Sequence, residues 1–197
     1  LVVPVNSPYK SVQDLVQAAK VKPGEIRFGS GGSGSSMHVI AEVFSQKAHV
    51  KFEHIPYRSS TQMVQELLAG QIDFTFQNIA VVMPFVKAGR LKAIAFTSAA
   101  RLPAATEVPT LGESGVTDMV VDFTWHGWFL PAKTPPAIVQ RLHRDFSQAV
   151  RDSDVQAKLI AAGTEPAVSS PEELARKVRE EITRWARVVR ASGMKVD

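Results

Sequence analysis

A chain of 197 residues with 45% hydrophobic composition can bury one large core or two small ones, yet its most apolar run, Ile79 to Val86, is short and carries Pro84, well below the ~20 apolar residues of a membrane span. Without cysteine there are no disulfides, no thiolate nucleophile and no cysteine-based zinc site, which fits a periplasmic or a cytoplasmic address equally. The net charge of +4 and pI near 9.5 would favour an anionic partner, but the arginines of the C-terminal third, from Arg141 to Arg190, fall among Asp and Glu on amphipathic segments and read as a solvated face, so no nucleic acid is expected.

In chain order, Leu1-Val2-Val3-Pro4-Val5 resembles the middle of a strand, with no initiator Met, basic n-region or cleavage site, so processing or truncation is expected to have removed what came before. Ser11, with Asp14 three residues on, predicts a helix N-cap, followed by Val12, Leu15, Val16 and Ala19 at helical spacing and a stop at Pro23-Gly24. A short strand, Ile26 to Phe28, leads into Gly29-Ser30-Gly31-Gly32-Ser33-Gly34-Ser35-Ser36, and Ile40, Val43 and Phe44 mark the next helix. The same logic repeats with strand Phe52 to Ile55, loop Pro56 to Ser60, helix Gln62 to Ala69, strand Ile72 to Phe76 and loop Gln77-Asn78. A helix with Val82, Phe85 and Val86 ends at Gly89, and Leu91 to Phe96 predicts a further buried strand. Such alternation implies a parallel sheet with helices on both faces.

Pro103 and Pro109 then interrupt regular structure, and Met119 to Phe123 and Trp125 to Leu130 look strand-like, which places a domain crossover here. Beyond it, Thr134-Pro135 opens a helix through Leu142, Phe146 and Val150. Ser170-Pro171-Glu172-Glu173 combines N-cap, N1 proline and capping-box glutamate ahead of Leu174, Val178, Ile182 and Trp185. These apolar stripes need cover, from the first lobe, a second copy or a longer chain.

The chemistry points to the glycine-serine loop. Glycines at a strand-to-helix turn let backbone N–H groups face outward, and the helix that follows adds unpaired donors and a partial positive charge. Ser30, Ser33, Ser35 and Ser36 with Gly31 and Gly34 could therefore enclose a carboxylate without any fixed charge. With three or four charge-assisted hydrogen bonds at roughly 1.5–3 kcal/mol each, a micromolar affinity of about 8 kcal/mol is within reach. His38, one turn into the helix, is placed near the ligand, although a packing role fits it as well. Tyr57 and Arg58 in the next loop, and Gln77 and Asn78 in the third, lie where parallel sheets put ligand contacts, with a core Tyr57 and a surface Arg58 as the plainer alternatives.

Gly29 to Gly34 also matches the dinucleotide fingerprint G-x-G-x-x-G, with Glu53 in the next strand, and so an NAD(P)-binding oxidoreductase is the rival; Glu53 lies short of the strand's carboxyl end, and the loop is unusually rich in serine. There is no Walker A lysine, no G-x-S-x-G elbow and no H-E-x-x-H, and the histidines His38, His49, His54, His126 and His143 show no metal-ligand spacing. No catalytic residue, metal or cofactor is expected, and the chain is read as a binding protein, not an enzyme.

Phe28-Gly29-Ser30-Gly31-Gly32-Ser33-Gly34-Ser35-Ser36-Met37-His38, His54-Ile55-Pro56-Tyr57-Arg58-Ser59 and Ala69-Gly70-Gln71-Ile72-Asp73-Phe74 are followed by Leu91-Lys92-Ala93-Ile94-Ala95, Val108-Pro109-Thr110-Leu111, Trp125-His126-Gly127, Pro131-Ala132-Lys133-Thr134-Pro135 and the helix around Trp185. In this order, over nearly the whole chain, they resemble the tripartite tricarboxylate transporter receptors, the Bug family of periplasmic solute-binding proteins. The resemblance implies a type II periplasmic-binding-protein-like α/β fold. Two lobes with parallel or mixed sheets would close on a small carboxylate (a dicarboxylate, an aromatic acid or an amino acid) for membrane permease subunits, in a protein that does not itself span the membrane. It also implies a continuous lobe over residues 1–122, and a mainly helical return of the other lobe over 123–197. Nothing in Leu1 to Lys10 matches the family's opening strand and glycine-rich loop, so part of the N-terminal lobe is expected to be missing. A two-lobe regulatory ligand-sensing domain is the remaining alternative.

Overall fold

Serine and asparagine caps set the starts of the first four helices. In the computed structural model, which describes residues 1–102, 105–120, 125–161 and 166–192, Ser11 Oγ accepts the Asp14 N–H at 3.1 Å and opens α1 (Val12–Val21), which buries Val12, Leu15 and Ala19. Ser35, Ser59 and Asn78 cap α2 (Ser36–Ala48), α3 (Ser60–Leu68) and α4 (Ile79–Lys87) in the same way. Between these helices run β1 (Val2–Pro4), β2 (Arg27–Ser30), β3 (Glu53–Pro56), β4 (Phe74–Thr75) and β5 (Leu91–Ala93).

The strands form one sheet in the order β3-β2-β4-β1-β5. Strands β2, β3 and β4 are parallel, as the alternation of strands and helices predicts, but β1 is antiparallel to both β4 and β5, so the sheet is mixed. The strand expected over Leu91 to Phe96 is shorter than predicted. It stops at Ala93, and Phe96 instead makes a parallel bridge to Thr110.

Residues alternate across the sheet, so Phe28 and Phe74 lie on one face, and Gly29 and Thr75 on the other. On the first face Phe44 of α2 packs edge-on to Phe74 and Phe76 and stacks on Phe52 at 5.6 Å, giving an aromatic core. On the second face a Cβ on Gly29 would lie 2.3 Å from Cδ1 of Ile72, in the segment between α3 and β4, and 2.7 Å from Cγ of Met63 on α3. Met63 belongs to a cluster with Val2, Val64, Leu67, Ile72, Val82 and Leu91.

The chain divides into two compact units, Leu1–Thr124 with Val188–Asp197, and Trp125–Arg187. The second contains α5 (Pro136–Arg151), α6 (Ser153–Ala161) and most of α7 (Pro171–Ser192). The strand expected over Trp125–Leu130 is not formed: a strand needs a hydrogen-bonding neighbour, and among the described residues of this unit there is no other strand. Of the run Met119 to Phe123, residues 121–123 lie outside the described residues, and Met119 and Val120 are outside any strand. Helix α6 was not expected. The arginines here sit beside acids on exposed faces, as in Arg141–Asp145 and Arg176–Glu180, in keeping with a solvated surface.

Candidate functional site

Because β2, β3 and β4 point the same way, the loops that follow them, residues 31–35, 57–59 and 76–78, leave from one edge of the sheet. The residues selected from the sequence lie in these loops or at their borders, except His38, which is buried in the first turn of α2. The first loop turns on Gly32 and Gly34, whose φ values of +116° and +78° are left-handed conformations that side chains disfavour. The first two loops abut: a Cβ on Gly32 would lie 3.8 Å from the Tyr57 carbonyl oxygen, and one on Gly31 3.7 Å from Ser60 Oγ. Gly29, by contrast, is required by the close packing of Ile72 and Met63 against β2.

The serines divide into two sets. Ser30 is fully buried at the end of β2. Its Oγ lies 2.6 Å from His54 Nε2, donates to the Gly32 carbonyl at 3.0 Å or to that ring, and accepts the Gly32 N–H at 3.2 Å. It is committed inside the loop. Ser33 and Ser36 are exposed, and Ser33 Oγ has no partner among the described residues. Ser35 Oγ accepts the His38 N–H at 3.4 Å, which leaves its own hydrogen to donate outward. As the first residues of α2, Ser36 and Met37 carry backbone N–H groups with no intrahelical acceptor.

In the second loop Tyr57 is half-buried, its N–H donating to the Ser30 carbonyl at 3.0 Å, and Arg58 is exposed. Burial and then Glu66 push the Tyr57 phenol up, against a smaller opposing effect of Arg27. In the third, Asn78 Oδ1 accepts the Ala80 N–H at 2.9 Å, and Gln77 Oε1 accepts the Asn78 N–H at 2.8 Å. Gln77 Nε2 is buried with no acceptor among the described residues.

Under the first loop lie two imidazoles. His38, 6% exposed, stacks on His54 with ring centres 3.7 Å apart, and His54 stacks in turn on Phe28 at 4.8 Å. His38 Nδ1 accepts the Gly34 N–H at 3.1 Å, and its Nε2 lies 3.8 Å from Glu42 Oε1. Burial lowers the His38 pKa; burial and then His38 lower that of His54 to about 4; burial raises that of Glu42. Sequence reasoning passed over His54. The available signal was register, since His54 pairs with Phe28, two residues before Ser30.

The dinucleotide alternative loses its acid. Glu53 opens β3 and pairs with Arg27, at the opposite end of the strands from the loop, whereas a ribose-binding carboxylate belongs at the carboxyl end. Two shallow grooves of the second unit are each lined by one helix, at His143 and Ser147 of α5 and at Thr183 of α7, and lack the converging loops of the sheet edge. Among the described residues no helix is long and apolar enough to cross a membrane.

A family model described as tripartite tricarboxylate transporter family receptor matches residues 1–194. Protein BugT of Bordetella pertussis is 31% identical over 186 residues, covering 94% of this chain and 57% of BugT. Among solved structures, R. palustris Rpa4515 with adipate is 31% identical with a TM-score of 0.87, over 98% of this chain and 64% of that one. MatC (Rpa3494) from Rhodopseudomonas palustris with bound malate is 28% identical with a TM-score of 0.84, over 95% of this chain and 65% of that one. The chain spans 56% to 58% of the length of the first curated relatives it matches, a little over half. The glycine-serine loop thus sits in a receptor sequence pattern that runs across almost the entire chain and in the fold of periplasmic binding proteins. On that ground the chain belongs to the tripartite tricarboxylate transporter receptors, a family of solute-binding proteins and not of enzymes.

Proposed function

We propose that this chain supplies one wall of a carboxylate-binding cleft in a periplasmic receptor that delivers its ligand to the permease subunits of a tripartite tricarboxylate-type transporter. The observation that carries this reading is the loop at residues 31–36, where the Ser33 hydroxyl and the first amides of α2 are left as donors at the edge shared by three parallel strands. Such an array suits an anion with several acceptor oxygens and gives no reason to prefer one carboxylate over another. The adipate and malate bound by two structural neighbours are carboxylates and support the class.

Within the cleft, Ser33, Ser35 and Ser36 would hold the carboxylate, while Gly34, whose N–H is taken by His38 Nδ1, would shape the loop and Gly31 would keep it close to α3. Tyr57, Arg58 and Asn78 would line the adjoining loops. An acceptor brought by the ligand would satisfy the Gln77 amide, which otherwise bears the desolvation cost of an unpaired buried donor. Ser30 and His38 act from beneath. Residues 1–122 would form the continuous lobe and 123–197 the returning part of the other.

The test is calorimetry with adipate and malate on a receptor of the relatives' full length that carries this segment. Replacing Ser33 and Ser35 together by Ala should weaken binding at least about tenfold, equivalent to roughly 1.4 kcal/mol. Circular dichroism would verify that α2 survives the loss of its cap. Unchanged affinity in a folded double variant would remove these serines from the site.

A further inference from the structure

The loop that presents these donors is held from below by groups that can change charge. His38 Nδ1 accepts the Gly34 N–H, so this nitrogen carries no proton, and the ring's proton sits on Nε2 facing Glu42. His54 Nε2 meets the Ser30 hydroxyl, which is itself bonded to both the N–H and the carbonyl of Gly32. Through these contacts the two rings fix the positions on either side of Ser33. Loop shape therefore depends on the protonation state of a stacked pair.

We infer that His38 and His54 are positioning residues for the glycine-serine loop: as a neutral stack they hold the Gly34 amide and the Ser30 hydroxyl in place, and a proton on His38 releases the loop. A proton added at His38 Nδ1 would place one N–H against another, and the Gly34 amide would have to leave. The groups facing the pair do not compensate. From β2 come Phe28 and the neutral Ser30, and Phe74 of β4 packs against Phe28 without a charge. The facing carboxyl, Glu42 on α2, is itself pushed towards its neutral form by burial, so acid weakens it as a counter-ion. Two imidazolium rings 3.7 Å apart would repel, so the pair takes up its first proton as a unit, at a pH below the usual 6.5 of histidine because burial disfavours the charge.

The consequence for ligand release rests on the carboxylate reading, so the test is run without ligand and stands or falls separately from it. In the labelled 197-residue chain, nuclear magnetic resonance would follow the Gly34 amide and the imidazole carbons from pH 7.5 to 4.5. The Gly34 amide should shift with the His38 ring at one midpoint below 6.5. Its protection against hydrogen exchange, corrected for intrinsic rate, should fall at least about tenfold across that midpoint. His38→Asn keeps an acceptor at the Nδ1 position but cannot be protonated, and it should abolish the pH dependence of the Gly34 amide. His38→Leu should expose that amide to exchange at every pH, an effect that packing alone would not localise. A Gly34 amide that stays unmoved while His38 titrates, or a His38 midpoint at or above 6.5, overturns the inference. The wild-type titration decides the matter even where a variant does not fold.

Discussion

Within this chain, a little over half the length of its relatives, the two units differ in what they bury. Every buried hydrophobic side chain among the described residues lies between Leu1 and Met119, whereas in Trp125–Arg187 the buried residue is Ser147. That second unit leaves Trp128, Phe129, Ile160 and Ile182 each more than 60% exposed, at 73%, 65%, 63% and 64%. The first is a sheet covered on both faces. The second is a set of helices, of which α5 and α7 are amphipathic, sustained by the Ser170–Glu173 capping box, the Trp128–Phe146 stack at 4.4 Å, and ion pairs one turn apart. In this 197-residue chain resistance to unfolding therefore resides in the first unit, and side chains of the same kind should differ in worth between the two.

The largest expected effect tests that contrast directly. Phe74 is fully buried among Phe28, Phe44, Phe52 and Phe76. Phe74→Ala should cost about 3–5 kcal/mol in urea unfolding. Ile182→Ala, at an exposed position, should stay within about 0.5 kcal/mol. Equal losses at the two sites would break the comparison.

Gly29→Ala comes next, at about 1–3 kcal/mol in the same assay, because the added methyl must displace Ile72 and Met63 from a closed interface. A stable variant would mean that α3 can move away from the sheet at little cost.

These same residues show what sequence alone could convey. Caps and stops are local, so Ser11, Ser170 and the glycine-serine loop were legible from neighbouring residues. The direction of β1 was not, because the continuous apolar run Leu1-Val2-Val3-Pro4-Val5 suits a buried strand whichever way its partner runs. The apolar run Trp125–Leu130 misled for the related reason that a strand is defined by a partner. Helix α6 has only a weak apolar periodicity and a start shared with the end of α5. In the site, the loop could be found by composition, but the burial of Ser30 and its bond to His54 depend on the β2–β3 register, which separates them by 24 positions in sequence.

Acid should act chiefly on the first unit. The folded His54 pKa of about 4 lies below the 6.5 of an unfolded chain, so between those values the unfolded state binds more protons. Stability from the neutral ring is present above 6.5 and is lost as the pH falls towards 4. Glu42, whose pKa is raised by burial, works in the opposite sense, since its cost of ionisation is relieved in acid. The histidine share is therefore read as a difference: His54→Gln should show a shallower decline in unfolding free energy from pH 6.5 to 4. Parallel pH profiles would mean that the ring titrates alike in both states.

The smallest effect should be confined to the second unit. Ser170 Oγ accepts the Glu173 N–H at 3.1 Å, and Glu173 Oε2 accepts the Ser170 N–H at 2.8 Å, closing a reciprocal box over the start of α7. These hydrogen bonds to Ser170 hold the Glu173 carboxyl below the usual carboxylate range, and Arg176 adds a lesser pull. Ser170→Ala removes the acceptor for one end amide and should cost α7 about 1 kcal/mol. Since the box is exposed, water can take over part of its role, which keeps the loss small. Amide exchange measured residue by residue should show the first turn of α7 fraying while Phe28, Phe44 and Phe74 keep their protection. Protection lost equally in the sheet would show that the two units unfold as one, and the division drawn from their burial would fail.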